Sequence, residues 1–381
     1  MEIFGFLAFV VALLLSVMVH EFGHYITARK FGMWVSEFFV GFGKRIWSVQ
    51  RGETEFGVKA IPAGGYCKIE GMAPNDEMPE GEEHRAFYKA SSGKKLIVLG
   101  AGSFLHFVLG FLLLFTLFAG IGTNQVLPVI SEVVPNSAAQ AAGIQAGDEI
   151  LAINGKQVRE WYKDVEAIRQ SQGAELTLEL DRNGQQLTVV TNARLTDVDG
   201  TQRYVLGIIN DVGLKRSGLL LSVKNSALVT KDFLVESVKS LGKLPEKIPA
   251  LWGATVRGEE RDANGLVGVV GVARVSGEAV GSDKLDPMER LATFVLIVAS
   301  LNIFVGIFNL LPILPLDGGH MAVAIADEIR AFFARLRGRP RPAPIDVTVL
   351  TPITMVVFVV LATLTLLLLV ADVINPVTLN L

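Results

Sequence analysis

Residues 3–28 read IFGFLAFVVALLLSVMVHEFGHYITA, an apolar stretch that ends with the motif HEFGH at 20–24. A helix of this length crosses a hydrocarbon core of about 30 Å. The stretch is longer than the apolar core of a signal peptide, Glu2 stands where a basic segment is usual, and no convincing cleavage site follows. These features predict a membrane span.

Three more stretches are long and apolar enough to cross a bilayer as helices: 96–121, 291–314 and 349–370. Half of the 381 residues are hydrophobic and the mean hydropathy is +0.44, which is high for a soluble chain. The fold class predicted is a polytopic α-helical membrane protein with four transmembrane helices. The net charge of −3 shows no basic excess, and no nucleic-acid motif occurs, so nucleic acid is not an expected partner.

Basic residues gather beside the predicted spans and set the expected orientation. They occupy the loops between spans one and two and between spans three and four: Arg29, Lys30, Lys44, Arg45, Lys94 and Lys95, then Arg330, Arg335, Arg337, Arg339 and Arg341. Loops rich in lysine and arginine stay in the cytoplasm. Both loops are therefore predicted to be cytoplasmic, with both termini and the long segment 122–290 on the other side of the membrane.

The long outer segment begins with PVISEVVPNSAAQAAGIQAGDEILAING at 128–155. This pattern predicts a strand, a proline turn, a short helix, a second strand and an Asn-Gly turn. It resembles a PDZ domain, a β-rich α+β fold, over 124–210. Such domains bind peptide ends by adding an extended strand to a sheet edge. A steric plug that binds nothing is an equally good interpretation of this domain.

The remaining outer residues and the loops complete the predicted organisation. An amphipathic stretch at 217–252 has helical spacing and is expected along the membrane face, and the glycine-rich run at 265–275 is interpreted as structural. The predicted segments are span 1–30, cytoplasmic loop 31–95 with a membrane-associated β-hairpin at 53–70, span 96–121, the PDZ-like domain 124–210, membrane-facing segment 211–290, span 291–319, cytoplasmic loop 320–348 and span 349–371.

Ionisable side chains inside the first and third spans point to a metal site. On a helix, His20 and His24 share one face, so both imidazoles can reach one zinc ion at about 2.1 Å while Glu21 stands near enough to activate water. Such groups are costly inside a membrane, which favours function over a plain polar helix contact. The third span ends in NLLPILPLDGGH at 309–320, which brings Asp317 to a matching depth as the third ligand. Its prolines predict a broken helix lining a water-accessible pocket.

The motifs HEFGH and NLLPILPLDG, with a PDZ-like domain between them, resemble the site-2 protease family of zinc metalloproteases, and within it the RseP-like regulators of sigma factors. The resemblance covers nearly the whole chain. It implies that His20, His24 and Asp317 bind one Zn²⁺ per chain, that Glu21 activates water, and that Asn309 holds the substrate backbone.

The function implied by this resemblance is zinc-dependent endoproteolysis within the bilayer. The implied substrates are single-span membrane proteins that have already been trimmed, such as anti-sigma factors, or signal-peptide remnants. The implied location is the bacterial cytoplasmic membrane, with the site near the cytoplasmic side. An alternative from another class is a catalytically inactive scaffold that binds partners through the PDZ-like domain. A transporter would favour inverted repeats, and the span pairs contain none.

Three further features bear on the site. The hairpin expected around 53–70, with a Pro-Ala-Gly-Gly turn, resembles the family's membrane-dipping β-loop, although an ordinary cytoplasmic hairpin would give the same pattern. His106 stands where the family usually has an asparagine, and it can replace that amide, bind metal weakly or mark an altered site. The lone Cys67 is interpreted as a packing residue, and His320 as a residue that at most supports the ligands.

Overall fold

The computed structural model describes residues 1–198, 200–261 and 265–377. The chain forms two compact units. One, called here the helical unit, comprises Met1–Gly120 and Ser217–Leu381; the other, called here the β-rich unit, comprises Ile121–Arg216.

Helices make up most of the helical unit and strands most of the β-rich unit. The α-helices are α1 (Glu2–Lys30), α2 (Ser92–Thr116), α3 (Ala138–Ala141), α4 (Trp161–Asp164), α5 (Glu166–Gln170), α6 (Leu219–Gly242), α7 (Leu244–Trp252), α8 (Val269–Gly281), α9 (Pro287–Asn309), α10 (Asp317–Leu336) and α11 (Thr351–Ile374). The strands are β1 (Val35–Arg51), β2 (Thr54–Ile69), β3 (Thr123–Val133), β4 (Glu149–Ile153), β5 (Lys156–Gln157), β6 (Glu175–Arg182), β7 (Gln185–Asn192), β8 (Arg194–Val198), β9 (Thr201–Val205) and β10 (Ile208–Lys215).

Four helical segments of the described chain are long and apolar enough to cross a membrane: Glu2–Lys30, Ser92–Ile121, Pro287–Asn309 and Val347–Ile374. This finding confirms the predicted class, a membrane protein with four apolar helices and a β-rich part. The third segment ends at Asn309, earlier than the apolar run itself, because proline cannot continue the backbone hydrogen bonding of a helix. Within the stretch predicted as a loop at 320–348, most residues continue the separate helix α10.

The helices of the helical unit pack around small and apolar side chains. Phe9 of α1, Ala273 of α8 and Val298 of α9 form one buried cluster. The outward faces of α1 and α11 carry large apolar side chains that remain exposed, as expected of surfaces that meet lipid. Packing and lipid exposure are therefore distributed as in a membrane protein.

The glycine-rich run at 265–275 leads into α8 and holds one end of α11. Asp372 of α11 is fully buried, and its carboxylate accepts hydrogen bonds from the backbone nitrogen of Gly271 at 2.7 Å and of Gly268 at 3.3 Å. Arg261 forms an ion pair with the same carboxylate at 2.7 Å. A carboxylate at the N-terminus of a helix satisfies free backbone N–H groups and interacts favourably with the helix dipole. This run therefore contacts α11 through backbone atoms.

The long strands β1 and β2 pair in a register that repeats along the first half of β1. Phe38 stands opposite both Cys67 and Phe56, and Val40 stands opposite both Gly65 and Val58. The first half of β1 thus lies between two segments of β2. The hairpin expected at 53–70 differs from this arrangement, because its two arms flank β1 and do not pair with each other.

The β-rich unit is built on a sheet with strand order β10-β3-β4-β6-β7, and β8 and β9 form a separate hairpin. Its core contains Ile130, Ile150 and Leu178 from the sheet together with Trp161 and Ile168 from the two short helices. The order of strand, short helix, strand and turn follows the sequence pattern at 128–155. The PDZ identity of this unit remains a prediction.

An ion pair between a buried carboxylate and a partly exposed guanidinium fixes the turn before β4. Asp148 is fully buried and accepts two hydrogen bonds of 2.7 Å from Arg182, one from Nε and one from Nη2. The backbone nitrogen of Gln145 donates a third hydrogen bond to Asp148, at 2.9 Å. The guanidinium of Arg182 holds the pKa of the Asp148 carboxyl below its usual range.

Replacing Asp148 with asparagine is expected to lower the free energy of unfolding of the β-rich unit by about 2 kcal/mol, because the asparagine side chain cannot accept both charge-assisted hydrogen bonds from Arg182. A carboxyl with a lowered pKa in the folded state stabilises at neutral pH and loses that effect as the pH falls through its folded pKa. The gap between wild type and variant should therefore close on acidification. Hydrogen exchange of the intact chain measures the free energy of unfolding, and Glu149→Gln, at an exposed neighbouring position, is the control. A difference in stability between wild type and variant that does not change with pH would contradict the prediction.

Candidate metal centre

The helix α1 brings His20 and His24 together on one face. Their positions are one helical turn apart, and their Nε2 atoms are 3.0 Å from each other. Both residues are buried, with exposed fractions of 6% and 7%. The spacing in the sequence therefore produces the close pair of imidazoles that it predicts.

Asp317 reaches the same point from another part of the chain. It is the first residue of α10, and its Oδ2 atom lies 3.1 Å from Nε2 of His20 and 3.3 Å from Nε2 of His24. The turn between α9 and α10 is tight. A Cβ atom at Gly318 would lie 2.3 Å from the backbone of Leu310, so the two glycines after Asp317 let α10 begin against that turn.

The three side chains fit a small divalent cation. Their ligand atoms, two nitrogens and one carboxylate oxygen, lie within 4.8 Å of one another. Zinc binds such atoms at about 2.0–2.1 Å in a tetrahedron, whose edges are then about 3.3 Å. The observed separations of 3.0, 3.1 and 3.3 Å are close to that edge. His24 also contacts the backbone oxygen of Val98 through Nδ1 at 2.8 Å, which leaves Nε2 free to bind metal.

Gly102 of α2 makes room for the two imidazoles. A Cβ atom at this position would lie 2.5 Å from Cε1 of His20 and 2.7 Å from Nε2 of His24. Contacts below 3.0 Å between such atoms require one of the groups to move. The absence of a side chain at position 102 is therefore a condition for the geometry of the site.

Gly102→Ala is expected to reduce zinc content and cleavage by at least about tenfold, since displaced supports of zinc ligands cost about 10–100-fold in metal affinity or activity. Gly100→Ala, in the same helix, is the matched control, because a Cβ there meets only the end of Met321 at 3.8 Å. Zinc per chain by elemental analysis and cleavage of a reporter span are the measurements. Equal zinc content in the two variants would contradict the role given to Gly102.

Glu21 lies beside the histidines and contacts β2. Its Oε2 atom accepts a hydrogen bond of 2.9 Å from the backbone nitrogen of Cys67. The thiol of Cys67 does not take part in this contact, and burial raises the pKa of that thiol, which keeps it protonated. One carboxylate oxygen of Glu21 is thus bound to the edge of a strand.

His106 belongs to a buried polar network next to the histidines. Its ring centroid is 5.0 Å from that of His20, and its Nδ1 atom is 2.9 Å from Oδ1 of Asn302. The amide nitrogen of Asn302 donates to the backbone oxygen of Val298 at 2.8 Å and to Oγ of Ser16 at 3.1 Å. Because Oδ1 of Asn302 can only accept, His106 carries its proton on Nδ1. This network supports the first of the three roles considered for His106.

The remaining predicted residues, Asn309 and His320, flank Asp317 in the sequence. Asn309 is the last residue of α9, at the start of the turn that leads to Asp317. His320 lies within the first turn of α10. The sequence interpretation did not identify Gly102, Asn302 or the backbone of Cys67. Of these, Asn302 had a signal, because an amide inside an apolar span is costly to bury.

Two histidines on an apolar helix and the carboxylate at the start of α10 converge beside a second carboxylate, that of Glu21. This arrangement is that of a zinc hydrolase embedded in a membrane. The model of peptidase family M50 matches residues 8–359. The chain is 33% identical to zinc metalloprotease Rip1 of Mycobacterium tuberculosis over 414 residues, covering 100% of this chain and 99% of that protein. It is 34% identical to zinc metalloprotease Rip1 of Mycolicibacterium smegmatis, covering 98% of each chain.

The chain belongs to peptidase family M50, the site-2 protease family. This confirms the predicted family, zinc metalloprotease activity and zinc as cofactor.

Proposed function

We propose that this zinc metalloprotease cleaves single-span membrane proteins within the bilayer, with His20, His24 and Asp317 as zinc ligands and Glu21 as the general base. The observation that carries the proposal is that the three ligand atoms, two from α1 and one from α10, lie 3.0–3.3 Å from one another. Charged groups are costly inside a membrane, and they are found there mainly at functional sites.

The chemistry expected of the chain's own residues centres on Glu21. A bound zinc ion supplies Lewis acidity at the site. Oε2 of Glu21 is occupied by the backbone N–H of Cys67, so Oε1 is the oxygen that takes the proton of the attacking water. The same oxygen then delivers the proton to the leaving amine. Buried surroundings keep bulk water from competing for that proton.

The edge of β2 is the proposed docking strand for the substrate. Cys67 pairs with Phe38 on one side of its strand, and its backbone nitrogen points to Glu21 on the other side. A transmembrane helix must unwind before its peptide bonds become accessible. An unwound substrate segment can then pair with this edge beside the base. Asn309 is proposed to hold the substrate backbone as it leaves this strand.

The proposed substrates are anti-sigma factors and other single-span proteins, or signal-peptide remnants, after their outer part has been trimmed.

The β-rich unit has a cavity of about 750 Å³ whose wall includes Trp161, Val165, Tyr204, Ile208 and Asn210. The last two belong to β10, which ends the sheet. An open edge next to an apolar cavity suits an extended peptide end. The unit is proposed to act outside the cytoplasmic membrane as a PDZ domain, while the metal site lies near the cytoplasmic side.

The test compares two reporter proteins with the same membrane span. One has a short outer segment and the other carries a bulky folded domain there. We expect the full chain, reconstituted in vesicles, to cut the short reporter at least about tenfold faster than the bulky one. The reason is that a bulky outer domain is expected to keep its span from entering the site. Equal cleavage of both would contradict the trimming requirement. Binding of both without any cleavage would favour the inactive scaffold.

A further inference from the structure

The end of α10 and the residues after it carry a concentration of arginine. Residues 329–345 read IRAFFARLRGRPRPAPI, with five arginines and no acidic residue. Arginines and large apolar residues alternate over the last turns of the helix. This composition is typical of a segment that contacts a membrane interface.

Contacts with α2 establish the depth of this part of α10. Met321 approaches Gly100, where a Cβ atom would be 3.8 Å from its terminal carbon. Further along, Glu328 accepts a hydrogen bond of 2.8 Å from Oγ of Ser92, the first residue of α2. The helix α10 therefore runs antiparallel to α2 and passes the level at which the second span begins. Residues beyond Glu328 lie at that boundary or outside it.

The apolar side chains at this level remain exposed. The exposed fractions are 53% for Phe332, 52% for Phe333 and 67% for Leu336. A groove of about 650 Å³ lies between this part of α10 and α2, and Leu96 and Ile329 contribute to its wall. An apolar groove at the boundary of a span suits the acyl chain of a lipid.

The arginines divide into paired and unpaired groups. Arg330 forms an ion pair with Asp327 at 3.2 Å, and Arg341 forms one with Glu328 at 2.8 Å. Three exposed arginines form no ion pair with a carboxylate of the described chain: Arg335, Arg337 and Arg339. A positive surface therefore remains after the local acidic groups are accounted for.

We propose that Arg335, Arg337 and Arg339, together with Phe332 and Phe333, form a binding surface for anionic phospholipid headgroups. The arginines match the phosphate and the negative surface of the leaflet, and the phenylalanines enter the adjacent apolar layer. Each basic residue near such a surface increases binding about fivefold. The surface lies at the far end of the helix that begins with Asp317. The inference concerns lipid binding and does not depend on cleavage.

The test uses the full chain in phosphatidylcholine vesicles that contain a trace of spin-labelled lipid. Electron paramagnetic resonance measures the fraction of label immobilised by the protein, for phosphatidylglycerol and for phosphatidylcholine. We expect wild type to favour phosphatidylglycerol by about fivefold or more, and high salt to weaken the preference. The variant R335Q/R337Q/R339Q should lose most of it.

A charge-matched control replaces three exposed arginines of the β-rich unit, R159Q/R169Q/R203Q, and should keep the preference. Zinc content and elution volume verify that each variant is folded. An unchanged preference in R335Q/R337Q/R339Q would overturn the proposal, as would equal immobilisation of both lipids by wild type. A dimer in the same vesicles that dissociates only in that variant, without any lipid preference, would assign the surface to a second copy of the chain.

Discussion

Glu21→Gln is expected to reduce cleavage of a reporter span by at least about 10³-fold while zinc content stays at the wild-type level. A general base contributes about 10²–10⁴-fold to such reactions, and the amide cannot take the proton of water. The amide oxygen can still accept the hydrogen bond from Cys67, so the contact with β2 is retained. Single-turnover cleavage and elemental analysis on the same preparation separate chemistry from metal binding.

The control for this experiment is Glu70→Gln in the loop after β2, which removes a charge outside the metal centre. Its cleavage rate should remain close to wild type. Undiminished cleavage by Glu21→Gln would contradict the role of Glu21 as base and favour a different reaction centre. Loss of zinc from Glu21→Gln would instead make Glu21 a ligand.

Asp317→Ala is expected to lower zinc affinity by at least about 100-fold, and cleavage with it. Removal of a group that only supports a zinc ligand lowers metal affinity about 10–100-fold. Asp317→Ala removes a ligand itself, and it is the one negatively charged ligand of the three. The two imidazoles would remain 3.0 Å apart with no anion opposite them. Zinc retained after dialysis against a chelator of graded strength measures the change in affinity.

Asp327→Ala, in the same helix, is the matched control for Asp317→Ala. Asp327 pairs with Arg330 and lies away from the histidines, so its loss should leave zinc content unchanged. If Asp317→Ala kept both zinc and activity, Asp317 would be excluded as the third ligand. Loss of zinc from both variants would indicate a general destabilisation of α10.

The spans could be predicted from the sequence because each is a continuous apolar run whose length matches the membrane. The end of α9 at Asn309 was less accessible to prediction. Apolar residues continue past it, and only the prolines that follow signal the break. The pairing of β1 with two segments of β2 depends on contacts between distant residues, which local turn signals do not contain.

In the metal site, too, some features could be predicted from the sequence and others could not. Helical periodicity predicts that His20 and His24 share a face, and a polar residue after a broken span draws attention to Asp317. The room provided by Gly102 and the hydrogen bond between His106 and Asn302 depend on how closely three helices approach one another. Such distances follow from packing, and the spacing of residues along one helix does not determine them.

The central claim is that one zinc ion is bound by two imidazoles and the Asp317 carboxylate. Zinc X-ray absorption spectroscopy on the full chain tests it most directly. The predicted spectrum has nitrogen and oxygen neighbours at about 2.0–2.1 Å, with the outer-shell scattering of two imidazoles. That outer-shell signal should weaken in His24→Ala. Two results would contradict the claim. One is a sulfur neighbour of zinc at about 2.3 Å, which would have to come from the single cysteine, Cys67. The other is a spectrum without imidazole scattering.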